Sequence, residues 1–349
     1  MSWNTYTERR LNLNDKYTVE QIRNFLADFE LSFDSSMDYT VGIFDDNERL
    51  VATGSRSGSI LRNIAVDENL QGEGLTAQLI GHLIKQASEC GVYHYFIFTQ
   101  PRKSVMFEGL GFKQIASAPP YAAILESGNY SIEKWVEQIA QQADATLPAN
   151  TPRAAIVVNC NPFTLGHKAL IKHAASNMPT IVFVVEEDLS FFPFSVRFNL
   201  VQQGLADLPN VLVVPGGKYI ISSATFPSYF TKREDLASAQ TKLDAMIFAT
   251  KIAPKLGVVK RYLGEEPLSP VTEIYNQSLN TVLPLNGMQV EIIPRVEAAG
   301  DVISASRVRQ LLAEDRIEEL KDLLPPTTYQ FLQSEAALPI ITNIKKSIC

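Results

Sequence analysis

Residues 154–170 constrain the fold of this chain more than any other stretch, because they combine a strand, a turn and a helix start. Residues 154–158 form a short apolar, β-branched run, which is typical of a buried strand in a parallel sheet. A polar turn containing Pro162 follows, and apolar residues recur at helical spacing after Gly166. A helix N-terminus offers unpaired N–H groups and the positive end of its dipole, so this stretch predicts an anion site.

The residue types at the turn favour a phosphate as that anion. Gly166 lets a phosphate approach the backbone closely, and His167 and Lys168 bring donors and positive charge to the same place. From spacing alone, an ordinary strand–turn–helix with a surface histidine remains an equally open interpretation.

A second hydroxyl-rich stretch lies near the end of the chain, at residues 303–309. It contains Ser304, Ser306 and Arg309, and an apolar helical pattern follows it. Either serine could simply cap a helix. A cap and a phosphate site use the same unpaired N–H groups, so the two interpretations are compatible.

Both stretches resemble motifs of the nucleotidyltransferase superfamily, which transfers adenylyl groups from ATP with loss of pyrophosphate. Residues 164–167 (Thr-Leu-Gly-His) resemble its (H/T)-x-G-H motif, and residues 303–309 resemble its I-S-S-T-x-I-R signature. In the second motif Ala305 replaces a serine and Ser306 replaces the threonine. The resemblance implies that ATP, accompanied by Mg²⁺, binds at Asn161, Phe163, Thr164, Gly166, His167, Ser304, Ser306 and Arg309. We expect His167, Lys168 and Arg309 to act on the reacting phosphates.

The first 130 residues have a different pattern, with several strands before one clear helix. The sequence predicts a helix over 18–29 with Thr18 as its N-cap, and a hairpin of strands 40–44 and 50–55. Further strands are expected at 61–66 and 95–98, on either side of a helix that ends at Gly91.

This pattern resembles a GNAT-type N-acetyltransferase domain over residues 39–115. Gln71-x-x-Gly74-x-Thr76 occupies the place of the family's (Q/R)-x-x-G-x-(G/A) loop, which cradles the pyrophosphate of acetyl-CoA. Thr76 replaces a smaller residue, and the sequence shows no clear acid or base for amine acetylation. A binding or structural role for this domain therefore stays open beside a catalytic one.

The remainder of the chain alternates strands and helices. Strands are expected at 180–185, 211–214, 258–263 and 289–293, which predicts a doubly wound parallel sheet. The predicted organisation is thus α/β, with a GNAT-like domain at 1–130, a connecting helix and linker at 131–152, and an adenylating domain at 153–349. A hydroxyl-rich, aromatic stretch after the second of these strands predicts substrate binding by Ser222, Ser223 and Thr225.

Composition excludes several classes of protein. A formal net charge of -7 argues against a broad nucleic-acid surface. Three cysteines without paired or zinc spacing indicate a reducing compartment and no structural metal site. The sequence shows neither a signal peptide nor an apolar run of membrane-spanning length, so we expect a cytoplasmic protein.

Over nearly its full length the chain resembles the citrate lyase ligase family, through residues 161–167, 219–229, 264–267 and 303–309. The resemblance implies an acid–thiol ligase that uses ATP and acetate to acetylate the acyl carrier subunit of citrate lyase. The acetyl group would go to the thiol of a dephospho-CoA-type prosthetic group, through acetyl-adenylate. We expect Gln71, Gly72, Gly74 and Thr76 to grip that arm. The alternatives are an adenylyltransferase that forms a dinucleotide cofactor and an N-acetyltransferase that acts through the first domain.

Overall fold

The computed structural model describes residues 6–186, 190–220, 226, 229, 236–265, 270–295, 297–298 and 301–348. The chain forms two compact units. Unit 1 consists of Met1–Lys134 with Phe226–Leu243, and unit 2 consists of Trp135–Thr225 with Asp244–Cys349. The boundary between the units after Lys134 lies within the connecting helix and linker predicted at 131–152. The assignment of Phe226–Leu243 to unit 1 was not predicted from the sequence.

Unit 1 is built on a seven-stranded sheet with the order β1-β2-β3-β4-β5-β7-β6. Its strands are β1 Thr7–Arg10, β2 Tyr39–Phe44, β3 Leu50–Ser57, β4 Ile60–Val66, β5 His94–Thr99, β6 Lys113–Ala118 and β7 Ala122–Gly128. The helices that begin within it are α1 Lys16–Ala27, α2 Leu75–Glu89, α3 Ser104–Glu108 and α4 Ile132–Thr146, of which α4 continues into unit 2.

Strands β4 and β5 are parallel and pair only at their start. The register joins Ile60 to Phe96 and Leu61 to Ile97, and no pair follows although β4 continues to Val66. The two strands therefore diverge towards their carboxyl ends. This divergence opens a cleft in the middle of the sheet, next to the N-terminus of α2.

The start of α1 differs from the prediction. The helix begins at Lys16 because the carboxylate of Asp15 accepts hydrogen bonds from the backbone N–H groups of Tyr17 and Thr18. Thr18 lies inside the first turn, so its prediction as the N-cap is wrong. The buried face of Val19, Ile22 and Leu26 is the one that the apolar spacing predicts.

Unit 2 contains a five-stranded, all-parallel sheet with the order β10-β9-β8-β11-β12. Its strands are β8 Arg153–Val158, β9 Thr180–Val184, β10 Val211–Pro215, β11 Val258–Gly264 and β12 Gln289–Ile293, with a small hairpin of β13 Glu297–Ala298 and β14 Asp301–Val302. The further helices are α5 Leu165–Asn177, α6 Phe194–Gly204, α7 Leu236–Ile247, α8 Ala253–Leu256, α9 Pro270–Leu285, α10 Ala305–Ala313, α11 Pro326–Leu332 and α12 Leu338–Ile348. A π-helical segment, Phe248–Ile252, joins α7 to α8.

The order of this sheet confirms the predicted doubly wound α/β fold. Strand β8 lies in the centre, with β9 on one side and β11 on the other, so the winding direction reverses there. Ligands of such sheets bind beyond the carboxyl ends of the strands at the reversal. The turn that leaves β8 at this point carries the Thr164–His167 motif.

None of the helices in the described part of the chain has the length and apolar character that crossing a bilayer requires.

Candidate functional site

His167 lies in the first turn of α5, and a reciprocal cap fixes its imidazole. The Thr164 hydroxyl accepts a hydrogen bond from the His167 backbone N–H at 3.4 Å, and the Thr164 backbone N–H donates to His167 Nδ1 at 3.1 Å. Since a backbone N–H can only donate, Nδ1 must be the unprotonated nitrogen of the neutral ring. The proton is then on Nε2, which makes Nε2–H the hydrogen-bond donor that His167 can offer.

The same surroundings keep the imidazole neutral. Burial lowers the pKa of His167 to about 4, and the positive charge of Arg295 acts in the same direction. The ring is also held nearly parallel to that of Phe163, with the centroids 6.1 Å apart. At neutral pH, His167 is therefore a positioned neutral donor rather than a cation.

Gly166 brings the second motif to the first. A Cβ at this position would lie 3.1 Å from the carbonyl oxygen of Ile303, the residue before Ser304. The glycine permits this close approach between α5 and the segment that starts α10, because a Cβ would require the Ile303 carbonyl to shift by a few tenths of an ångström. In the described part of the chain, the Gly166 N–H has no hydrogen-bond acceptor.

Arg309 links the two motifs directly. Its guanidinium donates to the carbonyl oxygen of Asn161 at 2.5 Å and to the hydroxyl of Ser306 at 3.1 Å. Ser304 caps α10 by accepting a hydrogen bond from the Arg307 N–H at 3.1 Å. Within the described residues, the Ser306 N–H has no acceptor. The structure thus brings Arg309 together with Asn161 and Ser306, and Gly166 lies against the residue before Ser304; the binding of ATP by these residues stays a prediction.

A buried arginine supports the turn on which these groups stand. Arg197, on α6, is fully buried and donates to the carbonyl oxygens of Phe192, Asn159 and Val185 at 2.9, 2.7 and 2.8 Å. The side chain of Asn161 meanwhile accepts from the Phe192 N–H at 3.1 Å. These bonds tie the turn after β8 to the segment that follows β9.

Phe163 is a core residue whose ring contacts the imidazole of His167. It is fully buried, and a Cβ on Gly204 of α6 would lie 2.5 Å from its ring. The ring of His167 lies nearly parallel to that of Phe163, so the fixed position of Phe163 helps to orient the histidine.

Arg295 belongs to the site, although the sequence did not single it out. It follows β12 by two residues, which places it beyond the carboxyl edge of the sheet, and its charge influences His167. Its Nε donates to the carbonyl oxygen of Glu265 at 2.7 Å, just after β11. The sequence could have identified Arg295 by its position, because a cation directly after a strand of a parallel sheet is a candidate for phosphate binding.

The other predicted residues have different positions. The Lys168 ammonium forms an ion pair with Asp207 at 2.9 Å, so its role at the phosphates stays a prediction. Ser222, Ser223 and Thr225 lie outside the described residues. Cys160, two residues after β8, is buried, and burial raises the pKa of its thiol. Both observations indicate a small core residue and not a nucleophile. Among the described residues, no group of three or more His, Cys, Asp or Glu side chains could hold a metal ion.

The diverging strands of unit 1 form a separate cleft of about 530 Å³. Gln71, Gly72, Gly74 and Thr76, the four residues predicted to grip an arm, all contribute to its lining. Gly72 and Gly74 have φ angles of 93° and 82°, which L-residues rarely adopt. Gly74 also begins α2 without a side-chain cap.

Comparison with known proteins matches both parts of the chain. A family model for the citrate lyase ligase C-terminal domain matches residues 153–332, and one for the GNAT acetyltransferase domain matches residues 13–134. Among solved structures, the ribosomal-protein-S18-alanine N-acetyltransferase of Escherichia coli is 18% identical and has a TM-score of 0.30. That alignment covers 36% of this chain and 94% of the other.

Three relatives named citrate (pro-3S)-lyase ligase match almost end to end. The relative from Klebsiella pneumoniae is 36% identical over 93% of this chain and 95% of its own length. The relative from Haemophilus influenzae is 36% identical over 89% of this chain and 94% of its own length. The relative from Escherichia coli is 35% identical over 93% of this chain and 93% of its own length. The similarity therefore extends across both units.

Proposed function

This chain belongs to the citrate lyase ligase family, and from that premise we propose that it activates acetate with ATP and acetylates the acyl carrier subunit of citrate lyase. Acetyl-adenylate is the intermediate, and the acceptor is the thiol of the carrier's dephospho-CoA-type prosthetic group. The observation that supports the adenylation step best is the junction of two phosphate-binding motifs. Gly166 meets Ile303, and Arg309 reaches Asn161.

In the first step, a carboxylate oxygen of acetate attacks the α-phosphorus of ATP. A new O–P bond forms, the bond from the α-phosphorus to the bridging oxygen breaks, and pyrophosphate leaves. The protein must position the reactants and stabilise negative charge on the phosphate oxygens. We assign this work to the Gly166 N–H, the Nε2–H of His167 and the guanidinium groups of Arg295 and Arg309.

Mg²⁺ enters this step as part of the ATP substrate complex. It prefers phosphate oxygens with one or two carboxylates over a cage made by protein alone.

In the second step, the carrier thiol releases its proton to solvent and its sulfur attacks the acetyl carbonyl carbon. A thioester bond forms, and AMP leaves with the oxygen that linked it to the acetyl group. The adenylate is already an activated acyl donor, so the chemistry requires no cysteine of this chain. The buried, protonated Cys160 agrees with that assignment.

Acetate-dependent exchange of radiolabel between pyrophosphate and ATP tests the first step. We expect exchange only when acetate is present, because pyrophosphate can return to ATP only from acetyl-adenylate. Exchange that needs a phosphorylated acceptor instead of acetate would indicate an adenylyltransferase that forms a dinucleotide, and would refute the proposal.

We further propose that the cleft of unit 1 grips the carrier arm through Gln71, Gly72, Gly74 and Thr76. A carboxylate introduced as Thr76→Glu would repel the pyrophosphate of that arm. It should raise KM for the carrier at least fivefold and leave KM for ATP unchanged. Ser88→Glu, which adds the same charge at the other end of α2, is the matched control and should change neither constant. Equal carrier kinetics in both variants would contradict this role of the cleft.

A further inference from the structure

The cleft of unit 1 has an open end and a narrow end. Leu61 and Ile97 form the last pair between β4 and β5, so the narrow end lies beside Phe98. The open end lies beyond Val66, next to the glycine-rich loop before α2. The rise of β4 from Leu61 to Val66 spans roughly 16 Å. A ligand with its phosphates at the loop can therefore extend between the strands towards Phe98.

The lining indicates which chemistry fits. Most of the described residues that line the cleft are apolar, and the charged ones among them are the cations Arg102 and Lys103. Burial and the neighbouring Arg102 both lower the pKa of Lys103, so a phosphate group beside these two cations would stabilise their charge. An anionic head at the loop with an uncharged, flexible arm in the cleft matches this distribution. A phosphopantetheine-type arm has both features.

Tyr229 closes the narrow end. It is 5% exposed and lines the cleft, and its hydroxyl donates to the carbonyl oxygen of Phe98 at 2.6 Å. Its own carbonyl accepts from the Ser32 N–H at 2.9 Å, and the Arg62 guanidinium lies over its ring at 4.8 Å. Phe226, three residues earlier, packs edge-on against Phe98. The phenol is thus fixed on several sides and cannot move aside at little cost.

We propose that Tyr229 is the end wall of the cleft and makes it a closed-ended site that accepts a phosphopantetheine-type arm with a free thiol and rejects arms carrying bulky acyl groups. This inference rests on the proposed arm binding and adds to it a specificity-determining residue. The Tyr229 ring, held by the backbone bond to Ser32 and by the Arg62 guanidinium over its face, sets how far the arm can enter. Each carbon added beyond the sulfur must displace the phenol or push the head group away from the loop.

The wall also bears on catalysis in unit 1. An N-acetyltransferase needs an acceptor amine at the end of the cleft, and Tyr229 occupies that end. Among the described residues that line the cleft, none carries a carboxylate that could deprotonate an amine. We assign the cleft to binding the free-thiol arm, which must leave the closed end before its sulfur can attack the acetyl-adenylate.

Calorimetric titration of the full chain with coenzyme A and its thioesters, without ATP or acetate, tests the end wall. We expect coenzyme A to bind, and butyryl- and hexanoyl-coenzyme A to bind at least tenfold more weakly. Tyr229→Ala should reduce that ratio to threefold or less, because it removes the wall. Tyr229→Phe keeps the ring and should keep the ratio. A wild-type protein that binds all three ligands equally would overturn the proposal, as would an unchanged ratio in Tyr229→Ala.

Acetate-dependent pyrophosphate exchange and the thermal midpoint, measured on the same samples, separate the possible failures. If Tyr229→Ala does not fold, the wild-type ratio and Tyr229→Phe still decide the matter. Binding of coenzyme A without discrimination would refute the end wall and leave arm binding intact. Failure of coenzyme A to bind, with exchange preserved, would refute the role of the cleft and leave acetate adenylation intact. If the wild-type protein shows no acetate-dependent exchange, the proposed ligase reaction itself is refuted.

Discussion

Replacing His167 gives the sharpest test of the adenylate site, because the structure specifies what its imidazole can do. Nδ1 accepts the Thr164 N–H, so Nε2–H is the one donor available to a phosphate oxygen. Removing one preorganised donor from a site of this kind typically costs about 10²–10³ in rate, or about 3–4 kcal/mol of transition-state stabilisation. His167→Ala should therefore reduce acetate-dependent pyrophosphate exchange by two to three orders of magnitude.

Two further measurements distinguish a neutral donor from an acid or a mere spacer. The amide of His167→Gln offers an acceptor and a donor side by side, so this variant should retain exchange within about tenfold of wild type, unlike His167→Ala. Since the pKa of His167 is about 4, the wild-type rate should also be flat between pH 6 and 8 as far as this residue is concerned.

The outcomes that would refute this reasoning are specific. A wild-type rate that falls as the pH rises through 6.5, with the fall absent in His167→Gln, would show that the imidazolium form is the active one. Full exchange in His167→Ala would show that the ring does not touch the reacting phosphates. Circular dichroism of each variant should match wild type, so that any loss of rate reports on chemistry and not on folding.

Three other perturbations follow from the same geometry. Gly166→Ala should lower both exchange and the thermal midpoint, because its Cβ would press on the Ile303 carbonyl at 3.1 Å. Gly81→Ala, where a Cβ meets nothing within 4 Å, is the control: it should leave exchange unchanged and should not lower the thermal midpoint, since alanine favours a helix interior over glycine. Cys160→Ala should keep exchange within threefold, and a large loss would indicate a covalent role. Wild-type stability should fall by about 3 kcal/mol between pH 6.5 and 4 relative to His167→Gln, measured by urea unfolding, because the unfolded histidine takes up a proton that the folded one refuses.

Local patterns in the sequence predicted the elements that carry the adenylate site. Strand β8, the turn and α5 form one contiguous run in which the apolar period changes from buried strand to helix, and the structure has each part in place. The five parallel strands were also predictable, because each is a short β-branched run between helical segments. Strand β1 was missed because its sequence, Thr-Glu-Arg-Arg, is polar and mostly exposed at the sheet edge.

Other features depend on tertiary contacts that no local pattern records. Arg197 has the same sequence signal as a surface arginine, yet it is fully buried because three carbonyl oxygens accept from it. Arg295 reaches the site only because β12 lies beside β11 in the folded sheet. The residues 226–243 join unit 1 through Tyr229 and Phe226, whose contacts lie some 130 residues away in the chain.

The two helix starts at the adenylate site explain how one set of residues can both fold and bind a ligand. In α5, the Leu165 N–H donates to the Leu323 carbonyl and the His167 N–H donates to Thr164, which leaves the Gly166 N–H for a ligand. In α10, Ser304 accepts from the Arg307 N–H and leaves the Ser306 N–H available. The caps satisfy one donor at each helix start and leave a neighbouring N–H available for a phosphate, directly before His167 in α5 and three residues before Arg309 in α10. Removing either cap would therefore misplace the phosphate donors before it unfolded the helix.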